Sequence, residues 1–417
     1  MSFNQFNFDP KISASIQACN FTIPTPIQEQ SIPAAMRGRD LLGLAQTGTG
    51  KTAAFVLPIL QNLLSKKSRG ETRALVIAPT RELAIQIESD ICKLAAKTGL
   101  RSMTVYGGVG KGAQLQKLRA GVDIIVACPG RLLDFMGERV VKLDKVEHLV
   151  LDEADHMFDM GFLPAIRRIV RALPTKRQNL LFSATMPSEI RHLAAEILHN
   201  PIEVQVKPEK NVFKITQSLF QIEKNRKTAL LKKLMAEESQ GTTLVFTRTK
   251  HKAKNVALQL QKAGYSATSL QGNLSQQQRQ RALNGFKKGD FKILVATDIA
   301  ARGIDVSGIS HVINYDVPDT VEAYTHRIGR TGRAGREGEA YTFADSEDGK
   351  MIGMIERSQG RKMIRLDSSK FVEPGRPGEA VGRRPATREG ASKNRNSIAR
   401  HNKGRRPAKY DRSGGGQ

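Results

Sequence analysis

The sequence has little sulfur, no long apolar run and too few acids to balance its bases. Its three cysteines, Cys19, Cys92 and Cys128, lie far apart and show no CxxC spacing. An odd, scattered set does not make a disulfide framework, so a reducing, cytoplasmic setting is expected. The eight histidines form neither an HExxH pair nor a Cys/His cluster, which argues against a zinc site. No apolar run approaches the ~18 residues of a membrane span. The opening MSFNQFNFDP lacks the basic and apolar regions of a signal peptide, so no membrane association is expected. Acids are the clearest shortfall: 40 Asp and Glu stand against 66 Lys and Arg, a formal charge of +26 over 417 residues. Such an excess attracts a polyanion, either nucleic acid or an acidic membrane.

What is present is rhythm. Short apolar runs recur at DLLGLA (40–45), ALVIAP (74–79), DIIVAC (123–128), HLVLDE (148–153) and NLLFSAT (179–185). Amphipathic stretches such as 83–99 lie between them. Continuous apolar runs alternating with helical patterns predict βαβ units and a parallel sheet covered on both faces. The rhythm pauses at VKPEKNVFK and resumes with TTLVFTRT (242–249), KILVATD (292–298), HVINYD (311–316) and AYTFAD (340–345). The expected architecture is therefore α/β. A first domain spans 1–206, a linker 207–214, a second domain 215–366, and a basic disordered tail 367–417. Residues 371–417 hold nine Arg and three Lys against three Glu and one Asp, with almost no apolar pattern.

The polar clusters follow strand ends, where open α/β sheets bind ligands. AQTGTGKT (45–52) stands between an apolar strand and an apolar helix, the context of a phosphate-binding loop. Ala45, Gln46, Thr47, Gly48, Thr49 and Gly50 would wrap phosphates with backbone N–H groups. Lys51 adds a point charge and Thr52 a hydroxyl for Mg²⁺. Ala45 stands where the strict pattern has Gly, a mild departure. In HLVLDEAD, Asp152 is placed to hold Mg²⁺ and Glu153 to orient or deprotonate a water that attacks the γ-phosphate. An N-cap acid cluster is the bland alternative, and the upstream phosphate loop weighs against it. No NKxD motif is present, which favours ATP over GTP.

DEAD (152–155), AQTGTGKT, PTREL (79–83), SAT (183–185), TDIAARGID (297–305) and HRIGRTGR (326–333) occur in one chain in family order. The sequence resembles the DEAD-box RNA helicases of superfamily 2, most of all the short bacterial RhlE-type members, from about Phe3 to residue 365. The resemblance implies two tandem RecA-like domains, each a mainly parallel sheet with helices on both faces, and an RNA-dependent ATPase. FTIPTPIQ (21–28) matches the Q motif. Gln28 would pair with the adenine edge and Phe21 stack on the base, with Phe3 as the upstream aromatic. Asn20 replaces the family's usual Gly. Ser183, Ala184 and Thr185, with Asp155 and His326, match positions that couple the ATP site to strand separation. Gly303 and Asp305 match ribose and phosphate contacts. Arg330 and Arg333 match the arginine fingers, whose fixed forks suit phosphate oxygens. Arg327 would support that motif from within its domain, and Arg336 lies outside it.

The resemblance further implies RNA contacts. They come from Pro79, Thr80, Arg81, Gly107, Gly108, Pro129, Gly130 and Arg131 in the first domain. In the second they come from Thr247, Arg248, Gln271, Gly272, Gln276, Arg279 and Thr297. Gly, Thr and Arg at element ends suit phosphate contacts that position a strand without reading bases. Cys128 stands where the family has Thr, and a thiol is a weak donor. A monomeric core acting on single-stranded RNA and short duplexes is implied, with ribosomal precursor particles or RNA-decay machinery as partners. A DNA-directed translocase and a non-catalytic RNA clamp are the rival readings. The motif set weighs against the first, and the intact Lys51, Glu153, Arg330 and Arg333 against the second.

Overall fold

A computed structural model describes residues 2–46, 48–65, 70–206, 215–237, 241–301, 306, 308–332 and 337–370. Thr47, the linker 207–214, Gly303, Asp305, Arg333, Arg336 and the tail 371–417 lie outside the described residues. The first sheet is built from β1 (Leu41–Leu44), β2 (Ala74–Ile77), β3 (Ser102–Val105), β4 (Ile124–Ala127), β5 (His148–Leu151), β6 (Gln178–Ser183) and β7 (Ile202–Gln205). The second contains β8 (Ile215–Gln221), β9 (Thr242–Phe246), β10 (Ala267–Leu270), β11 (Ile293–Ala296), β12 (Ile309–Asn314), β13 (Gly338–Ala344) and β14 (Ile364–Leu366).

Strand order across the first sheet is β3-β4-β2-β5-β6-β1-β7, and across the second β10-β11-β9-β12-β13-β8-β14. Counted from the first strand of each, the two orders are the same. Every strand pair described is parallel. These are two tandem RecA-like domains, the fold that the resemblance implies, built on the parallel sheets that the alternation predicts.

Residue alternation shows why the strands read as continuous apolar runs. Along β2, Ala74 and Val76 enter one core cluster while Leu75 and Ile77 enter the other, on the opposite face. The same division repeats at Ile124 and Val126 against Ile125 and Ala127. Burying such an aliphatic side chain contributes about 1.5–3 kcal/mol, so a strand between two helical layers gains from apolar residues on both faces. In the second domain Val245 and Leu244 likewise face different clusters.

Two expectations shift. The helix read over 83–99 runs Arg81–Leu94, with Thr80 capping it through a 3.2 Å bond from the Leu83 N–H to its hydroxyl. The chain also stays folded beyond 366. Ser368–Lys370 forms a 3₁₀ turn, and Ser368 Oγ donates to the Gln221 carbonyl at 2.9 Å.

Candidate active site and nucleic-acid interface

The phosphate loop leaves β1 and enters the helix Lys51–Leu64, whose unpaired N–H groups face the loop. Gly50 turns it at φ 89°. A Cβ there would lie 2.5 Å from Gln28 Nε2, so only glycine lets the Q-motif amide approach. Gln28 is buried. It donates to the Gly50 carbonyl at 3.1 Å and accepts the Thr25 N–H at 2.9 Å. Lys51 is buried too, its ammonium 3.0 Å from the Ala45 carbonyl. Thr49 Oγ1 donates to the Gln46 carbonyl at 2.8 Å. A cavity of about 550 Å³ opens here, lined by Phe21, Gln28, Gly48, Gly50, Lys51, Thr52, Asp152 and Glu153 among others. Phe21 is 38% exposed and stacks on Phe3 with ring centroids 6.0 Å apart, so it is not a core residue. Asn20 takes φ 56°, in the left-handed region that asparagine tolerates better than most residues.

The acids follow β5. Asp152 Oδ1 accepts the Glu153 N–H at 3.0 Å, and Glu153 itself sits at φ 55°, ψ 53°. A non-glycine residue in that region is strained, and such strain gathers at functional sites. Burial raises the Asp152 carboxyl above its ordinary range, with Glu153 adding to the rise and Lys51 opposing it. Burial acts on Glu153 in the same sense, yet the bond and charge of His156, with Lys51 and Arg330, hold that carboxyl below its ordinary range. The neighbouring acids are thus pushed apart. Thr52 and Asp152 offer hard oxygen donors beside the phosphate loop, a set that suits Mg²⁺ shared with phosphate oxygens.

Asp155 ties the acids to β6. Its Oδ2 accepts the Thr185 N–H and Oγ1, both at 2.9 Å, and the Ala184 N–H at 3.2 Å. Its own N–H donates to Ser183 Oγ, which donates to the Thr185 carbonyl at 2.7 Å. Burial raises Asp155, but His156, His326, Lys51 and Thr185 outweigh it and lower the carboxyl. The second domain reaches this cluster through the helix Val321–Ile328. His326 Nδ1 lies 3.4 Å from His156 Nε2. Arg330 is buried close enough to act electrostatically on Glu153. Arg327 points inward instead. It grips Asp298 with two bonds of 2.6 and 2.7 Å, reaches Asn314 Oδ1 and the Asp316 carbonyl, and covers the Phe246 ring at 5.1 Å.

A second cavity, of about 530 Å³, lies on the expected nucleic-acid face. Pro79, Thr80, Arg81, Gly107, Cys128, Gly130 and Arg131 line it from one domain and Arg248, Gly272, Arg279 and Thr297 from the other. Two expected contacts are turned away from it. Thr247 is fully buried and donates to the Thr249 carbonyl, while Gln271 accepts the Asn273 N–H at 2.6 Å. Gln276 bridges the domains, accepting from Arg81 at 3.3 Å and donating to Glu82 at 3.4 Å. Arg279 Nε donates to Glu82 Oε1 at 2.7 Å. Gly108, at φ 78°, makes room for Arg81, because a Cβ would lie 2.2 Å from Nη1. Pro129 begins the helix that Cys128 caps without a side-chain bond, and burial pushes the Cys128 thiol up to about 12.

Sequence reasoning missed His156 and Glu82. One directly follows the DEAD acids and the other lies inside PTREL, but the partner of each is on another element.

The two RecA-like folds, with a phosphate loop in the first and Arg330 of the second brought to its acids, define a two-domain helicase core. Residues 25–193 match the DEAD/DEAH box helicase model, and residues 226–335 the helicase conserved C-terminal domain. The chain is 42% identical over 372 residues to the ATP-dependent RNA helicase CshA of Listeria monocytogenes, covering 89% of this chain and 71% of that protein. It is 41% identical over 367 residues to the CshA of Bacillus subtilis, covering 88% of this chain and 74% of that protein. Among solved structures, S. cerevisiae Dbp5 bound to RNA and ADP BeF3 superposes with a TM-score of 0.80 at 32% identity, covering 89% of this chain and 96% of that one. The chain belongs to the DEAD-box ATP-dependent RNA helicases.

Proposed function

We propose that the protein couples RNA-stimulated ATP hydrolysis to closure of its two domains, and that closure opens short RNA duplexes locally, without processive travel. The observation that carries the reading is the seam itself. His326 of the second domain meets His156 of the first, its charge and that of Arg330 act on Asp155 and Glu153, and Glu153 lines the 550 Å³ cavity. Hydrolysis then requires both domains, because neither holds a complete site.

In this reading ATP rests on the loop 45–52, with Gln28 at the adenine edge, Phe21 on the base, and Gly303 and Asp305 at the ribose and phosphates. Mg²⁺, held by Thr52 and Asp152 with the phosphates, supplies charge neutralisation there. Glu153 aligns the attacking water, and Arg330 and Arg333 meet the charge that grows on the γ-phosphate. Asp155, the SAT residues and His326 couple this site to the RNA face. RNA lies across the 530 Å³ cavity on Arg81, Arg131, Arg248, Gly272 and their neighbours. Arg279 and Gln276, which now hold Glu82, exchange that partner for phosphate.

We place the protein among the RhlE-type members, as a cytoplasmic monomer that remodels RNA or ribonucleoprotein in ribosome assembly or RNA turnover. The domain limits 1–206, 215–366 and the tail beyond are part of the same proposal.

The test is Glu153→Gln. Turnover should fall by about 10³ or more while ATP-dependent RNA clamping persists, read by phosphate release and by RNA binding with and without ATP. Unchanged hydrolysis would remove Glu153 from its role. Stimulation by single-stranded DNA but not RNA would overturn the substrate class.

A further inference from the structure

We propose that His156 is a positioning residue for Glu153, one that ties the aim of this carboxylate to domain closure. The inference rests on the reading of Glu153 as the water-aligning group.

Glu153 occupies a strained backbone position, and its carboxylate needs an external hold to stay in one rotamer. His156 gives that hold: its Nδ1 lies 2.9 Å from Glu153 Oε2. The imidazole is 3% exposed, and its backbone N–H is fixed by Asp155 Oδ1 at 3.1 Å, so the ring has little freedom to swing. The other ring nitrogen faces out of the first domain. Nε2 stands 3.4 Å from Nδ1 of His326, with ring centroids 5.0 Å apart and planes at 84°. One side chain therefore touches the carboxylate on one edge and the opposite domain on the other.

The hydrogen bonds fix a direction. Two ring nitrogens bond only when one carries a hydrogen and the other a lone pair. A neutral His156 that donates through Nδ1 to Glu153 has only a lone pair at Nε2. His326 Nδ1–H must then be the donor across the seam. The opposite tautomer of His156 would turn a lone pair toward a carboxylate. Closure, by bringing the His326 N–H to Nε2, reinforces the tautomer that holds Glu153. When the domains part, that reinforcement is lost and the carboxylate is less firmly aimed.

The experiment measures RNA-stimulated ATP turnover of the full chain carrying His156→Phe, His156→Asn or His156→Gln. Phe keeps the ring volume and removes both nitrogens. An Asn amide reaches about as far as Nδ1, and a Gln amide about as far as Nε2. Phe should lower kcat by about tenfold or more, as a misaimed reacting group does, with KM for ATP within about twofold. Asn, which restores the hold on Glu153, should recover kcat to within about threefold of the parent, and Gln should not. In a cycle with His326→Phe the losses should overlap, so that the double variant falls less than the product of the two.

Wild-type kcat in the Phe variant, equal kcat in Asn and Gln, or a loss confined to KM would overturn the proposal. Losses that multiply with His326→Phe would overturn the link to closure. Should the Phe variant not fold, Asn against Gln decides: Asn above Gln supports the proposal, and Asn equal to or below Gln overturns it. Glu153→Gln, run alongside, separates the two failures. If it retains turnover, the reading of Glu153 falls; if it stops turnover while His156→Phe does not, this inference alone falls.

Discussion

Arg327 and Arg330 stand three residues apart in one arginine-rich run and are set to opposite tasks. Arg327 is buried, spends its guanidinium on Asp298, Asn314 and the Asp316 carbonyl, and so holds the second domain together. Arg327→Ala should cost about 2–3 kcal/mol in chemical denaturation, below the usual range for breaking a buried pair because Asp298 keeps 33% of its side-chain surface in water. Arg330→Ala should lower kcat by about 10³, read by phosphate release. Asp152 gives a pH signature. Its folded value is raised above the ordinary ~4, so its ionisation destabilises the nucleotide-free protein. That cost is absent below the unfolded value, grows through the window up to the folded value and is fully present above it. Asp152→Asn should therefore raise the Tm of the nucleotide-free chain at pH 7.5 and raise it less at pH 5; equal shifts at both would contradict the assignment.

At the scale of elements, legibility followed burial. The central strands β2, β4, β5 and β6 are buried at every position and stood out as apolar runs. The edge strands β3, SMTV, and β7, IEVQ, keep half-exposed or exposed residues among buried ones and carry no such run. Strand β8, ITQSLFQ, is paired on both sides yet buries Gln217 and Ser218, and Gln217 accepts the Tyr324 hydroxyl at 3.0 Å. A satisfied buried amide looks like a loop residue until its partner is seen. The site was legible where family letters sit at strand ends. It was not legible where a side chain's partner lies on another element, as for Glu82 with Arg279 and His156 with His326. The turn at Gly107 and Gly108 makes the same point about space. Gly108→Ala should displace Arg81 and strain the turn by about 1 kcal/mol. RNA affinity, read by fluorescence anisotropy, should fall several-fold while the ATP affinity holds.

At the scale of the molecule, the charge is unevenly placed, with nine Arg and three Lys in residues 371–417. Deleting that segment should weaken RNA binding and flatten its dependence on salt, since fewer counterions are released, and leave the ATPase core active. A dead core would give the tail a structural part. On the proposed RNA path of the core, Arg279 and Gln276 already hold the Glu82 carboxylate.

The shared strand order of the two sheets has a consequence for stoichiometry. Lys227 opens the first helix after β8 as Lys51 opens the first helix after β1. Lys51 stands at a glycine-rich turn beside an open cavity. Lys227 instead donates to the Phe343 carbonyl at 2.8 Å, with Asp345 and Asp348 carboxylates at 4.0 and 3.9 Å, and residues 222–226 before it hold no glycine. An anion brought to that place would meet acids and a side-chain-bearing turn, where its counterpart would meet bare N–H groups. The fold is doubled and the cradle is not. Among the described residues the chain offers one such cradle, and Lys227, the counterpart of Lys51, serves as an internal strut.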